Sequence, residues 1–319
     1  MKKSTVKIPS TDGKNMLNVV LWETEGRPKA VLQLVHGMAE YIERYEPFAE
    51  YLTENGYSVI GHDHLGHGKT AKSEMDLGYF ASENGDKIII DDMFEVTKFT
   101  KQRWSNVPNY ILGHSMGSFC VRQYLTQHSN DVNGAIIMGT GWIPEPVAGF
   151  GKTLATIICK KHGDRYISKT LVKMSIGNNN KPFEPARTPV DWLSREMTNV
   201  DKYVADPYCG FDFTAGAYKD FFTVLEKIAK NKELLGIKKS LPVLVVSGEN
   251  DPVGGKAACE KLVEQYYANG MPNVTIKLFK YDRHEILNEI DKRFVFLFIK
   301  NWLDARVYEF EKHQNPDFI

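Results

Sequence analysis

The stretch "YILGHSMGSF", residues 110–119, places Ser115 between Gly113 and Gly117, directly after an apolar run. G-x-S-x-G between a strand and a helix is the pattern of a nucleophile held on a sharp turn. The serine takes a strained backbone conformation, and the residues two before and two after it must lack side chains. The segment that follows, "MGSFCVRQYLTQHS", carries apolar positions at helical spacing. Such a helix would present its first N–H groups and positive dipole end to an anion formed at the serine. Serine at its ordinary acidity is a weak nucleophile, so it needs a base and a third group to hold that base. On this kind of turn the chain order is serine, acid, histidine. Asp251 falls just past the apolar run of "LPVLVVSGEND", and His284 lies in "YDRHE", after "NVTIKLFK". Ser115, Asp251 and His284 thus sit at the ends of three separate expected strands, the edge at which open α/β sheets build their sites. Asp251 also reads as a turn residue before Pro252, and Glu249 is the alternative holder of the histidine. Asp282 is too close to His284 in sequence to reach around its ring.

A tetrahedral oxyanion requires two backbone N–H donors. One is expected from Met116, the residue after the nucleophile, and the other from the loop "HGMAE", where Gly37 permits the turn and Met38 supplies the N–H. His36 is expected to brace this loop through hydrogen bonds rather than to transfer protons. "HDHLGH" spaces His62, His64 and His67 as H-x-H-x-x-H, a metal-site spacing, but metal-binding versions carry an aspartate where this chain has Gly66. No metal and no cofactor is therefore expected.

The elements that would position these residues can be read from apolar runs. "NVVLW", "AVLQLVHG", "YSVIGHD", "NYILGHS", "GAIIMG", "LPVLVVSGEND" and "NVTIKLFK" read as strands. Helices are expected over "YEPFAEYLTENG", "IIIDDMFEVTKFTKQRW", the segment after Ser115, "KAACEKLVEQYYANG" and "KRFVFLFIKNWLDARVYEF". Alternation of short apolar runs with amphipathic helices implies a mostly parallel sheet covered on both faces. Between Gly139 and Leu241 lie about a hundred residues without a strand-like run, too many for a simple crossover or a structureless loop. "VAGFGKTLATIICKKHG", "SKTLVKMSIG", "PVDWLSREMTNVDKYVAD" and "TAGAYKDFFTVLEKIAKN" read as helical, so residues 142–235 are expected to form an inserted helical cap over one edge of the sheet. The core would comprise residues 1–141 and 236–319.

Composition narrows the partners. Of 319 residues, 42 % are apolar, enough for a sizeable core. Forty basic residues balance forty acidic ones, which argues against nucleic acid as the main partner. Four scattered cysteines without a CxxC pair suggest free thiols and a reducing, cytoplasmic setting. "MKKSTVKIPSTDGKN" lacks the apolar stretch of a signal peptide, and no run is long enough to span a membrane. A small-molecule substrate is expected, with at most transient contact between the cap and a lipid surface.

With these residues in hand, the chain resembles the α/β-hydrolase superfamily, and within it the monoacylglycerol lipase, lysophospholipase and serine aminopeptidase-type group. The stretches that carry the likeness are "HGMAEYIERYEPFAEYLTENGYSVIGHDHLGHGKT", "LGHSMGS", "SGENDPVG" and "RHEILNE". The resemblance implies a mostly parallel eight-stranded sheet flanked by helices, with the cap inserted after the sixth strand. It also implies the roles already given to Ser115, Asp251, His284, Met38 and Met116. Two positions depart from the group's pattern: Thr70 stands where serine is usual, and Ser118 where a third glycine is usual. The activity implied is hydrolysis of single-chain acyl esters. An aminopeptidase or amidase would need cap carboxylates such as Glu184, Glu196 or Asp201 to hold a substrate amine. A third expectation is a binding protein with vestigial chemistry, which the intact serine–acid–histidine order disfavours.

Overall fold

Residues 1–314 are described in a computed structural model of the chain. The elements up to the serine turn are β1 (Lys2–Pro9), β2 (Met16–Glu23), β3 (Val31–Val35), α1 (Glu46–Glu54), β4 (Ser58–His62), α2 (Gly85–Arg103) and β5 (Asn109–His114). After it come α3 (Met116–His128) and β6 (Gly134–Met138). Five helices follow without a strand: α4 (Glu145–His162), α5 (Lys169–Ser175), α6 (Met197–Ala205), α7 (Ala215–Ala229) and α8 (Asn231–Leu234). The chain then returns through β7 (Val243–Gly248), α9 (Gly255–Ala268), β8 (Val274–Phe279) and α10 (Lys292–Gln314).

The eight strands form one sheet in the order β1-β2-β4-β3-β5-β6-β7-β8. Strands β3 to β8 are parallel, and β2 joins β4 antiparallel and carries β1 at the edge. The inner strands are buried from end to end because both faces are covered. Their period-two alternation divides the core. Val31, Val35, Ile111, Ala135, Ile137, Val243 and Val245 pack with α2, α3 and α9 on one face. Leu32, Leu34, Leu112, Ile136, Met138, Leu244 and Val246 pack with α1 and α10 on the other.

Two local differences from the sequence reading have physical causes. Strand β1 is the eighth strand that the resemblance implies but that no apolar run marks: Val6 and Ile8 are the apolar positions of "KKSTVKIP", and its outer side faces solvent. The stretch "PVDWLSREMTNVDKYVAD" is not one helix. It breaks into a short helical turn, Asp191–Leu193, and α6, with Ser194 extended between them. No helix among the described residues is long and apolar enough to cross a membrane. The four cysteines are free, Cys120 and Cys259 buried and Cys159 and Cys209 partly so.

Candidate active site

Strand β5 passes into α3 through a single residue, Ser115, at φ 52° and ψ −122°. A positive φ is costly for any residue with a side chain and persists only where the surroundings enforce it. Here the Ser115 N–H donates to the Met138 carbonyl (3.0 Å), and its own carbonyl accepts from the Ser118 N–H (2.8 Å) and Ser118 Oγ (2.6 Å). The flanking glycines are a steric requirement. A Cβ on Gly113 would lie 2.3 Å from the Gly117 carbonyl oxygen, and one on Gly117 would lie 2.2 Å from that of Val35. The Ser115 hydroxyl makes no hydrogen bond among the described residues and faces a cavity.

Asp251 lies in the turn after β7 and His284 in the loop after β8. His284 Nδ1 and Asp251 Oδ1 are 2.9 Å apart. The carboxylate also accepts the Val253 N–H (2.9 Å) and the Ser247 hydroxyl (3.1 Å). Burial works against its ionisation, but the imidazole and the Val253 amide together hold it below its ordinary value. Glu249 is exposed. His284 and Ser115 line the same cavity.

The loop after β3 approaches the serine closely: a Cβ on Gly37 would lie 3.1 Å from the Ser115 Cβ. The N–H groups of Met38, in this loop, and Met116, the first residue of α3, make no hydrogen bond among the described residues. The loop is tied down on either side. The Gly37 N–H donates to Glu40 Oε1 (2.6 Å), the Ala39 N–H to His67 Nε2 (3.3 Å), and the His64 N–H to His36 Nε2 (3.0 Å). Burial pushes His62 and His67 down to about 4 and depresses His36 and His64, so these rings are neutral. Their nitrogens do not converge as metal ligands. Among the described residues, Asp282, Glu289 and Asp291 alone bring three potential ligand atoms within 4.8 Å of one another, and the Arg195 guanidinium sits among them.

The sequence reading missed a buried charge network beside the site. Arg44 Nη1 donates to Glu40 Oε2 (2.6 Å), and its two Nη atoms grip Glu285 (2.7 and 2.8 Å). Glu40 also accepts from the Tyr45 hydroxyl (2.8 Å) and binds His114 Nδ1 (3.2 Å). The network joins the Met38 loop, the residue before Ser115 and the residue after His284. Burial opposes charge on both glutamates, yet Arg44 holds their carboxyls below the usual range. Glu40 and Arg44 stand four apart in "EYIER", a spacing that signals an ion pair on a helix; nothing in sequence marks Glu285 as their partner.

These groups meet in a cavity of about 340 Å³. Ser115, His114, His284, Glu40 and Glu285 line it from the strand ends, and Phe119, Val147, Phe150, Phe221, Phe222 and Leu225 from α3, α4 and α7. Val147 and Phe150 are more than half exposed, which places an opening along α4. Glu184, Glu196 and Asp201 do not line it; Glu196 caps α6 and Asp201 pairs with Arg187. The two positions that depart from the group's pattern keep hydroxyls in use. Thr70 accepts from the Asn18 N–H and donates to the Asp63 carbonyl, and Ser118 binds the Ser115 carbonyl.

The family model "Serine aminopeptidase, S33" matches residues 26–291. The chain belongs to this α/β-hydrolase family. It has distant relatives in animals and in bacteria. Monoglyceride lipase of Rattus norvegicus is 24 % identical over 288 residues, covering 90 % of this chain and 86 % of that one. A carboxyl esterase of Bacillus coagulans, solved with glycerol, superposes with a TM-score of 0.89 at 24 % identity, covering 96 % of this chain and 99 % of that one. A soluble variant of the monoglyceride lipase of Saccharomyces cerevisiae, solved with a substrate analogue, gives 0.74 at 21 % identity, covering 96 % and 95 %. At such identities the solved structures show the shared fold.

Proposed function

We propose that this S33 member is a serine carboxylester hydrolase that cleaves esters of single acyl chains, of the monoacylglycerol or lysophospholipid type. The observation that carries the reading is the cavity. One cavity holds the serine and the aspartate-bound histidine, and its remaining wall is largely aromatic and aliphatic. An acyl chain suits that wall, because each buried methylene gains about 0.8 kcal/mol. The names of the relatives point the same way. Residues 142–235 act as the cap that supplies the wall, and the apolar rim at Val147 and Phe150 is where substrate aggregates would make contact.

In this mechanism Ser115 Oγ attacks the ester carbonyl while His284 takes its proton. Asp251, hydrogen-bonded at Nδ1, fixes the tautomer and stabilises the imidazolium. The developing oxyanion is held by the unengaged N–H groups of Met38 and Met116, the latter at the positive end of α3. His284 then protonates the leaving alcohol, and water, activated by the same imidazole, hydrolyses the acyl-enzyme. An amine-binding alternative is weakly served by the cavity: its buried carboxylates Glu40 and Glu285 are already engaged by Arg44, which leaves the exposed Asp212 as the lining carboxylate outside any ion pair among the described residues. The test is a series of p-nitrophenyl esters of graded chain length, compared with aminoacyl-nitroanilides. Ester turnover that vanishes in Ser115→Ala supports the reading. Turnover that persists, or a preference for the anilides, overturns it.

A further inference from the structure

The strip around the break at Ser194, residues 191–195, runs beside the loop that carries His284. The His284 N–H donates to the Trp192 carbonyl (3.4 Å) and the Glu285 N–H to the Leu193 carbonyl (2.7 Å). The Trp192 ring lies 4.9 Å from the imidazole. The insertion thus accepts the N–H groups of His284 and its neighbour, while the His284 carbonyl meets His114 Nε2 of β5 (3.3 Å).

Arg195 fastens this strip. Its Nε donates to Glu289 Oε2 (3.1 Å), its backbone N–H to Glu289 Oε1 (3.1 Å), and its Nη2 to Asp282 and to Asp291 (2.8 Å). Arg283 reinforces the seam, its N–H donating to Glu289 (2.9 Å) and its guanidinium to the Asp191 carbonyl. The side chains of Asp282 and Glu289 are 1 % and 0 % exposed, so water cannot compensate their charge. Burial, with Asp291 and Glu289 nearby, pushes the Asp282 carboxyl up to about 7 in spite of Arg195. The far side of the histidine loop leans on the Asp251 turn. The Asn250 N–H donates to the Asp282 carbonyl (3.1 Å), and a Cβ on Gly248 would lie 2.2 Å from that oxygen.

We propose that Arg195 is a positioning residue for His284: by gripping Asp282, Glu289 and Asp291 it seats residues 191–195 on the histidine loop and sets the imidazole's place relative to Ser115. The insertion then completes the catalytic geometry as well as covering the substrate. This rests on the serine–histidine–aspartate reading above. Measuring p-nitrophenyl ester kinetics and fluorophosphonate labelling rates on folded Arg195→Ala, Arg195→Lys and Ser115→Ala proteins tests it. Loosening the loop should lower kcat and the labelling rate together by about 10- to 100-fold, with KM changed by less than about threefold. Millimolar methylguanidinium should restore part of the loss in Arg195→Ala. A folded Arg195→Ala with kcat and labelling within about threefold of wild type, while Ser115→Ala is inactive, overturns the assignment. If Arg195→Ala does not fold, Arg195→Lys decides: an ammonium lacks the planar fork, so a fall in kcat at constant KM supports it and unchanged kcat overturns it. Turnover surviving in Ser115→Ala instead overturns the underlying triad, and the role of Arg195 with it.

Discussion

Replacing Arg44 by methionine leaves Glu40 and Glu285 buried without the guanidinium that now lies between them. The Arg44 side chain is 10 % exposed and each glutamate side chain 4 %. The relevant scale is therefore that of a broken buried pair, about 3–5 kcal/mol, and not the ~0–1 kcal/mol of a surface bridge. Part of the loss is cushioned. Glu40 keeps the Gly37 N–H, Tyr45 and His114, and Glu285 keeps Asn199 (2.8 Å) and Asn288 (3.2 Å). At about 2–4 °C per kcal/mol, the thermal midpoint at pH 7.5 should drop by about 6–20 °C. The pH dependence is the sharper test. In the wild type both carboxyls lie below their ordinary value of 4.5, so their contribution is complete above that value and is lost as pH falls through the lowered ones. Between pH 7.5 and 5.5 it is constant. In the variant burial acts without Arg44, the carboxyls rise, and the folded protein binds protons that the unfolded chain does not. The variant then gains stability on acidification, by at most about 1.4 kcal/mol per pH unit for each proton. Differential scanning fluorimetry of both proteins at pH 7.5 and 5.5 should show the gap narrowing. A variant within about 1 kcal/mol of wild type, or a gap of equal size at both pH values, would refute this account of the network.

Three further outcomes follow from the site. Asp251→Asn, which preserves shape but favours the wrong imidazole tautomer, should lower kcat on p-nitrophenyl esters by about 10⁴-fold with little change in melting temperature. Gly117→Ala forces a methyl to 2.2 Å from the Val35 carbonyl oxygen; denaturant titration should show a loss of about 1–3 kcal/mol or more, accompanied by loss of activity. Burial depresses His114, but Glu40 outweighs it and holds the imidazole above 6.5. Its stabilising share is thus complete below about 6.5 and fades as pH rises through the higher folded value. Melting temperatures taken from pH 6.5 to 8.5 should fall for the wild type and vary less in His114→Asn.

Much of the sheet was legible because its inner strands are buried on both faces, which writes them as unbroken apolar runs such as "VLQLV" and "VLVVSG". Strand β1 escaped notice because an edge strand needs apolar residues on one side only, here Val6 and Ile8. The candidate triad residues stand at strand ends, so finding the strands found the candidates. The charged ties did not announce themselves. Arg44 and Glu285 are 241 residues apart, and Arg195 and Glu289 are 94 apart. A solvated arginine and a buried clamp look alike in sequence. The break at Ser194 was hidden for the same reason: local helical propensity favours continuity, and the bonds to the histidine loop that override it come from far along the chain.

The two kinds of order divide the work of the site. Strand ends deliver Ser115, Asp251 and His284 to one edge of the sheet, but loops that leave a sheet are free to move by more than catalysis tolerates. Here the Met38 loop and the histidine loop are tied by ion pairs whose carboxylates are buried. Glu40 holds the Gly37 amide, and through Arg44 it is linked to Glu285; Arg195 holds the other side of the histidine loop to the insertion. An apolar contact would exclude water equally well, but it lacks direction, whereas a bidentate guanidinium fixes both distance and angle. Buried pairs of this kind add little net stability, since desolvation offsets most of their attraction. Their contribution here is geometric: they hold the loops of a cavity otherwise lined by slippery hydrocarbon.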